Sequence, residues 1–139
     1  MNFIKYGDGE AIFDVQKLSR IWTVAATSIN ITGLTFKNGR SDYGGAIRFT
    51  NNINSNIICS FVHDTVTDDG GAIYFTSVTN CNISGNFINN MASNGDGGAI
   101  YFANDVFLIL VLIVVLNIML HQIMVMIFTL VRMWLIVIF

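Results

Sequence analysis

The motif "GGAIRF" at residues 44–49 recurs as "GGAIYF" at residues 70–75 and again at residues 97–102. The three copies therefore begin at a nearly constant spacing. A phenylalanine that precedes each copy recurs at almost the same spacing, at Phe36, Phe61 and Phe87. Two anchors that recur in step indicate a structural repeat of about 26 residues, and fixed periods of this length are typical of solenoids and related repeat proteins.

Each repeat contains two short alternations of apolar residues. In "GAIYF", Ile73 and Phe75 share one face, which is the period-two pattern of a β-strand. The segment that ends at Phe87 alternates in the same way, and no segment before residue 106 keeps a helical period. Each repeat is therefore predicted to form one coil, strand–turn–strand–turn, of an all-β parallel solenoid. Equivalent residues should stack as three inward ladders: Ile47, Ile73 and Ile100; Phe49, Phe75 and Phe102; Phe36, Phe61 and Phe87.

The opposite strand face should carry an outward column of Arg48, Tyr74 and Tyr101, in which the Arg48 side chain can lie over the Tyr74 ring. This column is the candidate binding surface, because solenoids present long ladders to their ligands. The alternative is that these residues only cover the outer strand face.

The turns between strands are marked by glycine pairs and by asparagine. The pairs are expected to need either positive φ or close approach between coils; they are Gly44 and Gly45, Gly70 and Gly71, Gly97 and Gly98. Asn38, His63 and Asn89 follow the repeated phenylalanines by two residues, a place that suits a left-handed bend. Residues 10–30 are expected to form a further, degenerate coil, with Ile12, Ile21 and Thr23 carrying the alternation.

Composition excludes several classes of function. The 139 residues carry seven Lys and Arg against nine Asp and Glu, so the chain lacks the basic patch of a nucleic-acid-binding protein. Two cysteines, Cys59 and Cys81, are too few for a disulfide framework or a zinc site, and their offset in the repeat argues against a bond between them. We expect no metal and no cofactor. The first residues lack the apolar segment of a signal peptide.

Several segments resemble a known family. "INITGLTF", "GGAIYF" and "FINNMASNGDGGAIYF" are similar to the coils of adhesin-like surface proteins with polymorphic outer-membrane-protein (GGAI) repeats, which are common in methanogenic archaea. The resemblance covers residues 9–106. It implies a right-handed, pectin-lyase-like parallel β-helix, a place at the cell surface, and adhesion or surface display without catalysis. The implied partner is a surface carbohydrate or protein of another cell.

An enzymatic alternative follows from fold analogy, because many parallel β-helices act on acidic polysaccharides. Carboxylates precede the glycine pairs and could serve a lyase or hydrolase, or bind Ca²⁺; they are Asp42, Asp68, Asp69 and Asp96. Aspartate is also expected at these turns for backbone reasons, and no convergent basic residue accompanies it. His63 is interpreted as a solvated turn residue. Asn30 and Asn82 begin matches to the N-glycosylation pattern.

Residues 107–139 form an apolar tail, and a transmembrane helix is one interpretation of it. Residues 107–131 contain no charged side chain and would span about 38 Å as a helix, enough to cross a bilayer. The chain would then be a membrane-anchored surface protein. However, no basic cluster flanks the segment, and His121 and Gln122 fall near its middle.

The interpretation we favour is that the tail continues the repeat in a shifted reading frame. Ile, Val, Leu, Met and Phe all have T as their middle codon base. A series of codons that end in T therefore encodes a run of apolar residues when the reading frame shifts by one base so that this T becomes the middle base. Residues 112–116 can then decode as Ser-Asn-Cys-Ser-Phe, which resembles the segment ending at Phe61. Residues 120–130 can decode as a sequence parallel to residues 92–102.

Overall fold

The computed structural model describes residues 1–51, 53–103, 109–115 and 134–137. The chain is an all-β solenoid of about four turns, and its paired strands run parallel. The predicted parallel β-solenoid is therefore confirmed.

Three parallel sheets run along the solenoid, and each of the repeated coils gives one strand to each sheet. The seven-stranded sheet contains β1 (Asn2–Ile4), β2 (Ile12–Asp14), β4 (Asn30–Lys37), β7 (Ile53–Val62), β10 (Thr79–Ile88), β13 (Ile109–Val115) and β14 (Trp134–Val137). The four-stranded sheet contains β3 (Trp22–Val24), β6 (Ile47–Thr50), β9 (Ile73–Thr76) and β12 (Ile100–Ala103). The three-stranded sheet contains β5 (Arg40–Ser41), β8 (Thr65–Val66) and β11 (Met91–Ala92).

The three-stranded sheet corrects the expectation of two strands per coil. Its members have two residues each, and they follow the turn after each repeated phenylalanine. A strand of two residues is too short to display a period-two pattern, so the sequence reads as a turn there. The coil therefore has three sides.

The inward ladders lie in register and form one continuous hydrophobic core. Ile47 pairs with Ile73 and Ile73 with Ile100, and the Phe49 column follows two residues later. The rings of Phe36, Phe61 and Phe87 stack at centroid distances of 5.3 and 4.9 Å. Because strand spacing is about 4.8 Å, flat rings at equivalent positions stack face to face along the solenoid.

In the pairs Gly44–Gly45 and Gly70–Gly71, each position satisfies one of the two expected requirements. The first glycine has positive φ, at 59° for Gly44, 69° for Gly70 and 64° for Gly97. The second lies against the next coil, since a Cβ on Gly71 would stand 1.9 Å from the carbonyl oxygen of Gly98. Among the described residues, the atom nearest to a Cβ on Gly98 is the carbonyl oxygen of Asn90, at 3.7 Å.

The column two residues after each phenylalanine is left-handed, as expected. Asn38, His63 and Asn89 have φ of 56°, 58° and 52°. The Asn89 amide lies 3.1 Å from Nε2 of His63, and the Asn38 amide donates to Oδ1 of Asp14 at 3.0 Å. These side chains link one coil to the next at the bend.

Aromatic residues and one arginine of the first coil pack against the second coil. Trp22 stands opposite Ile47 and packs 4.9 Å from Phe36, ring centroid to ring centroid. Thr23 is exposed, whereas Ile21 and Trp22 pack against the core. The Arg20 guanidinium donates to the carbonyl oxygens of Tyr43 and Gly44 and to Oγ of Ser41, and thereby fixes the turn of the second coil.

The described segments of the tail are strands. β13 pairs in parallel with β10, and β14 pairs in parallel with β13. Among the described residues, no helix has the length and apolar character required to cross a membrane. The remainder of the tail, including His121 and Gln122, lies outside the described residues.

Candidate functional site

The outward column of Arg48, Tyr74 and Tyr101 lies in the four-stranded sheet. The register of β6, β9 and β12 places the three residues opposite one another, and each is partly exposed. The rings of Tyr74 and Tyr101 stack at 5.6 Å with 17° between their planes. The Arg48 guanidinium carbon lies 5.7 Å from the centroid of the Tyr74 ring, within the range of a cation–π contact.

Tyr43 extends this column and was not predicted to belong to it. Its ring centroid lies 5.0 Å from that of Tyr74, on the side of the second coil. Tyr43 directly precedes Gly44, whereas the equivalent residues of the next two coils are Asp69 and Asp96. This departure from the repeat at an exposed turn is the signal that could have identified it. We call Tyr43, Arg48, Tyr74 and Tyr101 the tyrosine ladder.

The ring stacking limits which surfaces of the tyrosine ladder are open to contact. Because Tyr74 and Tyr101 stack with nearly parallel rings, one ring lies over the other, and both side chains remain partly exposed. A phenol hydroxyl both donates and accepts hydrogen bonds. The ladder therefore offers hydroxyl groups repeated at about the strand spacing on a rigid support.

Carboxylates of the neighbouring turns place negative charge beside the tyrosine ladder. The charge of Asp68 is the main reason that the pKa of Tyr43 is raised above its usual value. Desolvation raises the pKa of Tyr101, and the charges of Asp69 and Asp96 add to the effect. The positive Arg48 lies within this acidic surround, so the surface presents both signs of charge.

The four turn aspartates proposed as enzymatic or Ca²⁺ ligands form backbone and turn contacts. Oδ1 of Asp69 accepts the N–H of Asp96 at 2.8 Å, and Oδ1 of Asp42 accepts the Thr67 hydroxyl at 3.2 Å. Within residues 1–51 and 53–103, no three His, Cys, Asp or Glu side chains are grouped so that they could hold a metal ion. The observed contacts are those of turn residues.

The two cysteines face inward in different columns and are free thiols. Cys59 and Cys81 are both buried. Burial raises the pKa of the Cys59 thiol to about 11 and that of Cys81 to about 12. Thiols that remain protonated are poor nucleophiles and poor metal ligands, so their role in the fold is packing.

The asparagines of the two glycosylation patterns belong to a structural ladder. The Asn82 amide donates to Oδ1 of Asn56 at 2.7 Å, and the Asn56 amide donates to Oδ1 of Asn30 at 2.8 Å. The Asn82 nitrogen that a glycan would modify is thus used within the folded chain. His63, in contrast, is exposed at its turn.

The fold and surface define a parallel β-solenoid that carries an outward tyrosine ladder beside acidic turns. No family model, curated protein or solved structure matches the chain.

Proposed function

We propose that this chain is part of an adhesin-like β-solenoid of the cell surface, which binds a carbohydrate or protein of another cell and does not catalyse a reaction. The observation that supports this function best is the tyrosine ladder, which crosses three coils on one outer face. The resemblance of the GGAI repeats to surface proteins supports the location.

The chemistry of the tyrosine ladder suits a hydroxyl-rich ligand. Tyrosine loses little conformational entropy on binding, because it has two side-chain torsions, and it combines apolar area with a hydroxyl group. Here neighbouring rings and coils hold the side chains in place, which lowers the ordering cost of association further. Carbohydrates offer many hydroxyl groups at regular spacing along a polymer, and we therefore favour a surface glycan over a protein.

A glycan array tests this proposal. We expect the purified chain to bind a subset of glycans, and the double variant Tyr74→Ser, Tyr101→Ser to lose at least tenfold in affinity for them. Ile58→Ser is the matched control: Ile58 is an exposed outward residue, but it lies on the seven-stranded sheet. Binding that is equal in all three proteins, or no binding to any glycan or cell-surface protein, would contradict the proposal.

An activity assay on the purified chain distinguishes a binding protein from an enzyme. Release of reducing ends or unsaturated products from pectin-like polysaccharides, lost on Asp68→Asn or Asp69→Asn, would replace the adhesin proposal with a polysaccharide-acting enzyme. We expect no such release.

A further inference from the structure

Asp64 is a carboxylic acid side chain with no exposed surface, and it lies in the turn that follows β7. Its Oδ1 accepts the N–H of Gly39 at 2.7 Å. Its Oδ2 is also buried, and no hydrogen-bond partner for it lies among the described residues. A buried carboxylate with an unsatisfied oxygen is strongly unfavourable, so the arrangement calls for a physical explanation.

The next coil carries the same turn with an asparagine in place of the acid. Thr65 stands opposite Met91 in the three-stranded sheet, so Asp64 and Asn90 are equivalent residues. Their contacts with the backbone match as well. Oδ1 of Asn90 accepts the N–H of Asp64 at 2.9 Å, and Oδ1 of Asp64 accepts the N–H of Gly39, in the preceding coil. The two side chains therefore occupy the same place in successive coils.

The second polar atom of Asn90 shows what this place requires. Its Nδ2 donates to the carbonyl oxygen of Phe61 at 3.0 Å. By the repeat, Oδ2 of Asp64 corresponds to this Nδ2, and the carbonyl oxygen of Phe36 corresponds to that of Phe61. The place requires a donor, and a carboxyl group has a donor only when it is protonated.

We propose that the folded solenoid holds Asp64 as the neutral acid, whose Oδ2 hydroxyl donates a hydrogen bond to the Phe36 carbonyl, and that release of this proton to water loosens the connection between the second and third coils. When it is protonated, Asp64 thus makes the same two hydrogen bonds that Asn90 makes in the next coil, and it loses one of them when the proton leaves.

The surroundings of Asp64 agree with a neutral acid. Burial raises the pKa of Asp64 to about 8, against the opposing effect of the Gly39 hydrogen bond, and the charge of Asp14 raises it further. The other ionisable side chains on the neighbouring strand ends and turn are Lys37, Arg40 and His63.

The sign of the pH dependence follows from this shift. The unfolded chain loses the Asp64 proton near pH 3.8, whereas the folded chain keeps it up to about pH 8. The folded state binds more protons in that window, so stability falls as pH rises through it and levels off above it. Between pH 5 and 8 the folding equilibrium constant should fall by roughly 100- to 1,000-fold from this group.

The test is urea unfolding of the full chain between pH 5 and 8, followed by circular dichroism, for wild type, Asp64→Asn and Asp96→Asn. We expect the fall in stability in wild type and in the Asp96→Asn control, where an exposed turn aspartate is replaced. Asp64→Asn should lack it and be the most stable of the three at pH 8. Equal pH dependence in wild type and Asp64→Asn would overturn the proposal.

Infrared spectroscopy gives a second measurement that packing does not affect. At pH 6 wild type should show the carbonyl band of a protonated carboxyl group. The band should persist in Asp96→Asn and disappear in Asp64→Asn. Its absence from folded wild type would show that Asp64 is ionised, and the proposal would then be wrong whatever the stability data show.

Discussion

Phe61 occupies the middle of the aromatic ladder, and its replacement by alanine tests the assignment of the core. The side chain has no exposed surface, and its ring lies between those of Phe36 and Phe87 at 5.3 and 4.9 Å. Removal of a buried phenylalanine side chain costs about 3–5 kcal/mol. Each stacked aromatic pair adds about 0.5–1.5 kcal/mol beyond area burial. With two pairs lost, we expect Phe61→Ala to destabilise the chain by about 4–8 kcal/mol.

The matched control is Phe13→Ala, at the end of the same ladder. Phe13 stacks 5.6 Å from Phe36, but it is 39% exposed, so its removal leaves a smaller cavity, and we expect about 1–2 kcal/mol. Urea unfolding of the full chain, followed by circular dichroism at fixed pH, gives both values. If Phe61→Ala costs no more than Phe13→Ala, the phenylalanine ladder is not the core of the solenoid and the register is wrong.

Three further predictions concern the turns, the thiols and the tail. Gly71→Ala should destabilise the chain by about 3 kcal/mol or more, because its Cβ would meet the Gly98 carbonyl oxygen at 1.9 Å. Gly9→Ala, where no described atom lies within 4 Å of the Cβ, should cost under about 1 kcal/mol; equal urea midpoints for the two variants would contradict this. At pH 8, Cys59 and Cys81 should react with a thiol reagent at least about 100-fold more slowly in the native than in the urea-unfolded chain, since burial raises both pKa values; native rates equal to unfolded rates would show that the thiols are accessible. Deletion of residues 107–139 should move the expressed chain from the pellet or membrane fraction to the supernatant, and an unchanged distribution would count against a role of the tail in aggregation or membrane association.

The inward ladders could be predicted because one physical requirement governs them at every coil. A parallel solenoid places equivalent residues about 4.8 Å apart, so the side chain that fills the core in one coil must fill it in the next. Ile73 and Phe75 therefore repeat in the sequence, and the period alone shows which residues meet. The glycine pairs repeat for the same reason, since positive φ and close contact between coils recur at each turn.

The candidate site could be predicted only in part, because Tyr43 departs from the repeat, and the buried Asp64, which lies outside that site, could not be predicted either. Tyr43 folds over the neighbouring coil from a turn where the following coils have aspartate. In the sequence, Asp64 resembles an ordinary turn residue. It is buried next to β8 of the three-stranded sheet, and a strand of two residues leaves no pattern in the sequence from which that sheet could be predicted. The period reveals what the coils share, such as Tyr74 and Tyr101, whereas Tyr43 and Asp64 are differences between coils.

The tail is where register and coding frame can be compared. β13 pairs with β10 so that Val111 stands opposite Asn82 and Val115 opposite Asn86. Leu112 stands opposite Ile83, which in turn stands opposite Ile57. The shifted frame also matches position 112 with position 57, because it decodes residues 112–116 as a segment like the one that ends at Phe61. Strand pairing and the shifted frame thus align this coil with its predecessor in the same way, although one depends on hydrophobic strand residues and the other on codon arithmetic.

We therefore expect the coding DNA to continue the repeat in another frame after about codon 107. Two positions constrain the prediction, because methionine has a single codon: Met124 followed by Val125 must decode as glycine, and Met126 followed by Ile127 as aspartate. In the alignment of residues 120–130 with residues 92–102, the forced glycine falls at Gly97 and the forced aspartate at Ala99, so the glycine matches the repeat and the aspartate departs from it. Sequencing of the gene decides the question, and a stop codon in the alternative frame across residues 108–139, or the absence of a GGAI-like repeat there, would leave the apolar tail as a genuine part of the protein.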